Sequence, residues 1–300
     1  MSDEHLKRIQ ELEAEVAQRE QDLKLYREEL EKANQKLEGL LEKIQRELDV
    51  AKRLHHYLVP TELPHIPGFE ISTKFVPSYV QGGDCFDLFE HEDKARFGLL
   101  LTSASGHTMS ALLLTVILKL TGQMEARKGA PPDQVLGTLI QEVLPQIPQG
   151  DEADLFYGVC DRRHFEFSYC LVGNIYAYYL PSSPDQKEPV QTLSSCTGPL
   201  RGSFDHNMKS FQLSLHPRDR LVFCTRGIVE ALSPQGEPFG EERLLGLLNE
   251  NKQNVHDLRQ EIFYQVQKFS QIKEPRRDQT VVVLEVKDRI IKLAKNTLKK

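Results

Sequence analysis

The chain has 300 residues, 39% of them hydrophobic and 27% charged, which suffices for one sizeable core and an appendage. Its formal net charge of −6 excludes the basic footprint of a nucleic-acid-binding domain. Five scattered cysteines (Cys85, Cys160, Cys170, Cys196, Cys224), with no CxxC pair, suit reduced cytoplasmic thiols better than a disulfide framework or a zinc site.

The N-terminus opens with Ser2-Asp3-Glu4 and charged heptads, a pattern unlike a signal peptide. From Leu6 to about Leu58 there is no proline and one glycine, Gly39. Apolar residues recur every seven positions at Ile9, Val16, Leu23, Leu30, Leu37 and Ile44. A second series three residues later, Leu12, Arg19, Tyr26, Ala33, Leu40 and Glu47, is partly polar. This a/d pattern predicts a coiled coil that pairs the chain with a second copy as a parallel homodimer. The competing reading is a single amphipathic helix folded onto the globular part; so narrow an apolar stripe would bury little that way. Pro60 and Pro64 end the helix.

Beyond Pro67-Gly68 the period changes from helical to alternating. Strands are predicted at Phe69 to Val76, Cys85 to Phe89 and Arg96 to Leu101. Helices are predicted at Met109 to Arg127 and, after Pro131-Pro132, at Asp133 to Leu144. The apolar run within the first, Ala111 to Leu120, contains Thr115 and Lys119 and is too short to span a bilayer. Further strands read at Leu155 to Cys160, Phe165 to Leu171, Ile175 to Leu180, Met208 to Leu215 and Leu221 to Thr225, with a surface turn at Ser182 to Lys187. Helices at Glu241 to Asn251 and Val255 to Phe269 precede a last strand, Thr280 to Val286. Strands in hairpin-like succession with helices in pairs predict an α+β fold, a layered α-β-β-α sandwich of two antiparallel sheets. The expected divisions are a coiled-coil helix over 1–58, a globular domain over 59–287 and a short basic tail over 288–300.

Six short segments carry a family likeness: Ala51-Lys52-Arg53-Leu54 with Leu58-Val59-Pro60; Gly82-Gly83-Asp84-Cys85-Phe86-Asp87; Ser105-Gly106-His107 before the Ser110-Ala111-Leu112 helix; Thr197-Gly198-Pro199-Leu200; Thr225-Arg226-Gly227-Ile228-Val229-Glu230-Ala231 with Phe239-Gly240; and Asp278-Gln279-Thr280. Together and in this order they resemble the SpoIIE/RsbU family of bacterial Ser/Thr phosphatases, a branch of the metal-dependent type-2C (PPM) superfamily. The resemblance implies two Mn²⁺ or Mg²⁺ ions that activate a water against phosphoserine or phosphothreonine. It also implies four aspartate ligand positions. The first survives as Asp84, while the others hold Ser103, Arg226 and Arg277.

Asp278 stands beside the fourth position, and strand alternation predicts that it points the other way. One carboxylate and two guanidiniums, which stay charged, are a poor donor set for two divalent cations. The expectation is therefore no bound metal and no catalytic residues, with Arg226 and Arg277 filling the metal space and bonding Asp84 directly. The alternative is that nearby residues such as Asp87 or Glu230 serve as ligands. His107, His55-His56 and Ser105 read as structural or exposed positions, and Cys85 as a small core residue.

Three functions follow. The first is a dimeric, cytoplasmic pseudophosphatase that binds a protein partner, either a STAS-domain protein or an active phosphatase homologue. The second is an active Mn²⁺- or Mg²⁺-dependent phosphatase with a rewired site, acting on a STAS-type anti-sigma-factor antagonist. The third is a coiled-coil organiser with the globular part as a spacer.

Overall fold

The computed structural model describes residues 3–58, 60, 63–78, 83–105, 108–127, 129–182, 189–202, 208–250 and 254–287. The expected tail 288–300, Val59, Gly82, the Gly106-His107 pair and most of the predicted 182–187 turn lie outside the described residues, as do the side chains of Ile9, His55 and His56. The chain forms two units, Met1–Arg53 and Leu54–Lys300.

The first unit belongs to one continuous helix, α1 (Asp3–Leu58), 56 residues and about 84 Å long. Its heptad residues stand in solvent on a lone helix: Val16, Leu23, Leu30, Leu37 and Ile44 are 52–63% exposed. Intrahelical Arg19–Glu15 and Arg46–Glu42 pairs line the remaining surface.

The second unit is the expected layered sandwich. Its strands are β1 (Phe69–Val76), β2 (Asp84–Glu90), β3 (Arg96–Ser105), β4 (Glu152–Asp161), β5 (Glu166–Val172), β6 (Tyr176–Leu180), β7 (Gln191–Thr192), β8 (Phe211–Ser214), β9 (Arg220–Cys224) and β10 (Gln279–Val286). They form two five-stranded sheets, ordered β1-β10-β9-β6-β7 and β2-β3-β4-β5-β8, and the paired strands run antiparallel. The helices are α2 (Thr108–Arg127), α3 (Pro132–Val143), α4 (Arg226–Val229), α5 (Glu241–Glu250) and α6 (Val255–Ser270).

The period-two rule sorts the side chains into three cores. On β10, Val282 and Leu284 face the space between the sheets, where they meet Phe86, Leu99, Phe156 and Phe223. Val281 and Val283 point the other way, against Leu244 of α5 and Leu258 and Ile262 of α6. On the opposite sheet, Leu100, Leu155 and Tyr157 pack under Leu118 of α2 and Leu136 and Ile140 of α3. Both faces of each sheet are thereby covered, so the central strands are apolar on both sides and β4 is buried over most of its length. Among the described residues, no helix is long and apolar enough to cross a membrane.

Candidate functional site

The site lies at one end of the space between the sheets, and strand register puts it there. Asp84 opens β2; Ser103 of β3 sits directly opposite it, and Asp154 of β4 opposite Ser103. Residues so paired share one face of a sheet. Phe86, two residues on from Asp84, belongs to the inter-sheet core, so this face looks toward the other sheet. From that sheet Thr280, two residues before Val282, points back for the same reason of parity.

Asp84 is buried and held by three hydroxyls. Ser103 donates to its Oδ1 at 2.6 Å; Thr225 and Thr280 donate to its Oδ2 at 2.5 and 2.8 Å. Burial, with the Asp278 charge beside it, pushes the Asp84 pKa up against the lowering effect of those three bonds. Thr225 occupies the N-cap of α4, yet its hydroxyl does not cap the helix and reaches across to Asp84. Two glycines permit this closeness. A Cβ on Gly83 would sit 2.3 Å from the Ala104 carbonyl oxygen, and one on Gly227 would sit 2.0 Å from that of Asp278.

Asp278 does not turn away as alternation predicts. It lies one residue ahead of β10, where the pleat does not yet dictate direction. Its carboxylate accepts from the backbone N–H groups of Ser78 (2.7 Å), Gly83 (2.9 Å) and Asp84 (3.2 Å). The side chain thus clamps the start of β2 to the start of β10.

Both arginines converge on this place, but neither bonds Asp84, contrary to expectation. Arg226 forms ion pairs with Glu152 through Nη1, with Asp154 at 3.8 Å, and with Glu230 through Nε at 2.7 Å. Arg277 pairs through Nε with the other oxygen of Glu230 at 3.1 Å. Arg201 donates twice to Glu152, at 2.9 and 3.1 Å. The result is a network of three guanidiniums and three carboxylates. The physical reason is that Asp84 is already satisfied by uncharged donors, whereas Glu152, Asp154 and Glu230 are the charges that need compensation.

Within that network, burial opposes the Glu152 charge, yet the bonds from Arg226 and Arg201 hold its carboxyl below the usual range. Burial pushes Asp154 up to about 6, despite the Asn174 N–H bond and the nearby Arg226 charge. Its buried Oδ2 has no hydrogen-bond partner, since Arg226 stands too far for a hydrogen bond. Of the two substitute ligands that the sequence offers, Glu230 bridges the two arginines, and Asp87 accepts the backbone N–H of Leu88. Glu152 and Asp154 belong to no family motif; the signal they leave in the sequence is the acidic run Asp151-Glu152-Ala153-Asp154 at the head of a strand.

Between Asp84, Ser103, Arg226, Arg277 and Asp278 remains a cavity of about 10 Å³, at most the room of a single water. Of the family's four aspartate positions only Asp84 carries a carboxylate, and two carry guanidiniums, a donor set that does not suit two divalent ions. Among the described residues, no three His, Cys, Asp or Glu side chains group as metal ligands. Ser105 Oγ touches Glu152 at 3.3 Å, and the buried Cys85 thiol is pushed up to about 12 by desolvation, as befits a core residue.

The profile of the Stage II sporulation protein E (SpoIIE) family matches residues 93–287. The phosphoserine phosphatase RsbU of Bacillus subtilis is 22% identical over 232 residues, 75% of this chain and 68% of that protein. Among solved structures, the SiaA-PP2C domain of Pseudomonas aeruginosa superposes with a TM-score of 0.66 at 18% identity, over 82% of this chain and 98% of that one. The RsbU and RsbW domains of a Mycobacterium tuberculosis protein superpose with a TM-score of 0.62, also at 18% identity, over 76% of this chain and 64% of that one. At identities this low, the superpositions show the fold alone.

Proposed function

We propose that this chain, which belongs to the SpoIIE family of PP2C-fold phosphatases, is a pseudophosphatase: a cytoplasmic dimer that binds a protein partner through a phosphatase fold without metal-dependent hydrolysis. One observation carries the reading. Arg226, at the third ligand position of the family, is neutralised by Glu152, Asp154 and Glu230, so fixed cationic charge stands where a divalent ion would be needed. Carboxylates already paired with arginines have little to gain from a divalent ion, and the guanidiniums beside them stay charged. Asp84, the one aspartate left at the family's four ligand positions, is buried and already accepts from the Ser103, Thr225 and Thr280 hydroxyls.

Calorimetric titration of the purified chain with Mn²⁺ and Mg²⁺, alongside turnover of a generic phosphate ester, tests this directly. The expected result is no saturable heat and no hydrolysis above the buffer rate. Micromolar binding of two ions would reject it in favour of a working enzyme with a rewired site.

The binding role is supported by the company the fold keeps. RsbU is a phosphoserine phosphatase, and the Mycobacterium tuberculosis structure joins an RsbU domain to an RsbW domain. A phosphoprotein partner of the STAS type, or an active homologue, fits a fold that keeps its shape and loses its metals.

The dimer rests on α1. Val16, Leu23, Leu30, Leu37 and Ile44 form one stripe with half or more of each side chain in water, an arrangement that a second helix would cover. Replacing Leu23 and Leu30 with aspartate would bury like charges at that seam. Light scattering should report dimers for the natural chain and monomers for the variant. A monomeric natural chain at concentrations of tens of micromolar, on the order of those at which such helix pairs associate, would refute the dimer.

A further inference from the structure

Beside the arginine network, and sharing Glu230 and Arg277 with it, a cavity of about 750 Å³ opens between α6, the edge of β1 and the segment that follows α4. That volume is in the range of small-molecule sites rather than of a surface dimple. Its inner wall is apolar: Val266 and Phe263 of α6 are buried, and Ala231 and Leu232 are partly buried beside them. The outer wall is the stretch that follows α6. Gln271 ends the helix in the left-handed conformation (φ 56°), and the turn carries Ile272 to Arg277 along the opening.

The rim is cationic. Lys74, Lys273, Arg276 and Arg277 line it, and the acid among the lining residues, Glu230, is already bonded to Arg226 and Arg277. Lys273 and Arg276 are exposed and form no ion pair among the described residues. Lys74 lies with its Nζ 4.6 Å from the centre of the Phe263 ring, so a cation already rests on the apolar wall. In a chain of net charge −6, with Arg277 balanced by Glu230, the lining still carries Lys74, Lys273 and Arg276 around one apolar cavity, a local reversal of sign. Between them Ile272 keeps 40% of its surface exposed, an apolar lip at the mouth.

We propose that this cavity is a binding site for a single-chain amphiphile with an anionic head, a carboxylate or a phosphate. The apolar tail lies against Val266, Phe263, Ala231 and Leu232, and the head meets Lys273 and Arg276 at the rim. Burial of the tail supplies affinity in proportion to the apolar area removed from water, and the cations select the head. The cavity shares Gly227 and Arg277 with the degenerate metal site, but Asp84, Ser103 and Asp278 do not line it, and the proposed head contacts, Lys273 and Arg276, lie outside that site.

The chain contains no tryptophan, so Phe263→Trp places a single fluorescent reporter in the cavity wall. Titration of that variant with decyl phosphate, and separately with decanoate, each kept monomeric, should shift the emission saturably; the two arms tell which head is preferred. Calorimetry on the natural chain repeats the measurement without any substitution, which covers a failure of the tryptophan variant to fold. Decanol should bind about tenfold more weakly, and Lys273→Glu/Arg276→Glu, at two exposed positions, should weaken decyl phosphate about tenfold. Equal binding of decanol, an unaffected double variant, or no saturable signal from either anionic probe would overturn the proposal.

Discussion

Arg226→Ala is expected to destabilise the globular unit by about 3 kcal/mol, the low end of the range for breaking a buried ion pair, because Glu230 keeps a third of its side chain in water. The loss comes from what is left behind. Asp154 is almost wholly buried, its Oδ2 has no hydrogen-bond partner, and Arg226 is the cation nearest to it. Glu152 would keep Arg201 but lose its more buried partner. Chemical denaturation of the natural chain and the variant measures the difference, and Arg226→Lys should fall between them, since it restores charge but not the planar fork.

The pH dependence separates charge from packing. In the natural chain Glu152 has its folded pKa lowered, which contributes stability above its unfolded pKa that is lost as pH falls through the folded value. Without Arg226, Asp154 loses its nearest compensating charge and rises further, while Glu152 keeps only the Arg201 bonds against its desolvation, so the variant's deficit is largest near pH 7 and shrinks as the pH is lowered toward 5. Asp154 already stands at about 6 with the arginine present, so its protonation falls within that window. A deficit that stays constant from pH 7 to pH 5 would mean that lost packing, not uncompensated charge, is responsible.

The fold was legible because each layer leaves a periodic trace. The alternation that sends Val281 and Val283 to α5 and α6, and Val282 and Leu284 to the other sheet, is visible in the bare string. Short pieces left none: β7 is two exposed residues and α4 four, too few for either period to show. β3 also runs on to Ser105, beyond the Leu101 end that alternation predicts. The strand continues because β4 pairs with it to Glu152.

The site was half legible. The segments that bring Asp84, Ser103, Arg226, Arg277 and Asp278 to one cavity were recognisable, and they do meet. Their pairing was not. Arg226 meets Glu152 across 74 residues of sequence, and nothing local in the sequence distinguishes that partner from Asp84. The deciding quantity is tertiary: three hydroxyls from three different elements had already satisfied Asp84.

Restoring the family's ligands should reverse the economy of the site. In Ser103→Asp/Arg226→Asp/Arg277→Asp, a new carboxylate on β3 stands between Asp84 and Asp154 in the ladder, another heads α4 beside Glu152 and Glu230, and a third adjoins Asp278. Without metal, that concentration of like charge in a partly desolvated place should lower the melting temperature below that of the natural chain. Divalent cations bind the folded form alone, so Mn²⁺ at a hundredfold excess over its Kd should return about 2.7 kcal/mol of stability. The single variants should show no such response. Ser103→Asp keeps both guanidiniums, Arg226→Asp keeps Arg277, and Arg277→Asp keeps Arg226 in its carboxylate cage, so in each a fixed cation still repels the ions. Thermal melts of all four variants with and without Mn²⁺ read this out. A metal-dependent gain in the triple variant alone would place the missing ligands at these three positions; a triple variant blind to Mn²⁺ would show that the cavity has closed beyond rescue by charge. A natural chain that gains stability from Mn²⁺ would overturn the pseudophosphatase reading itself.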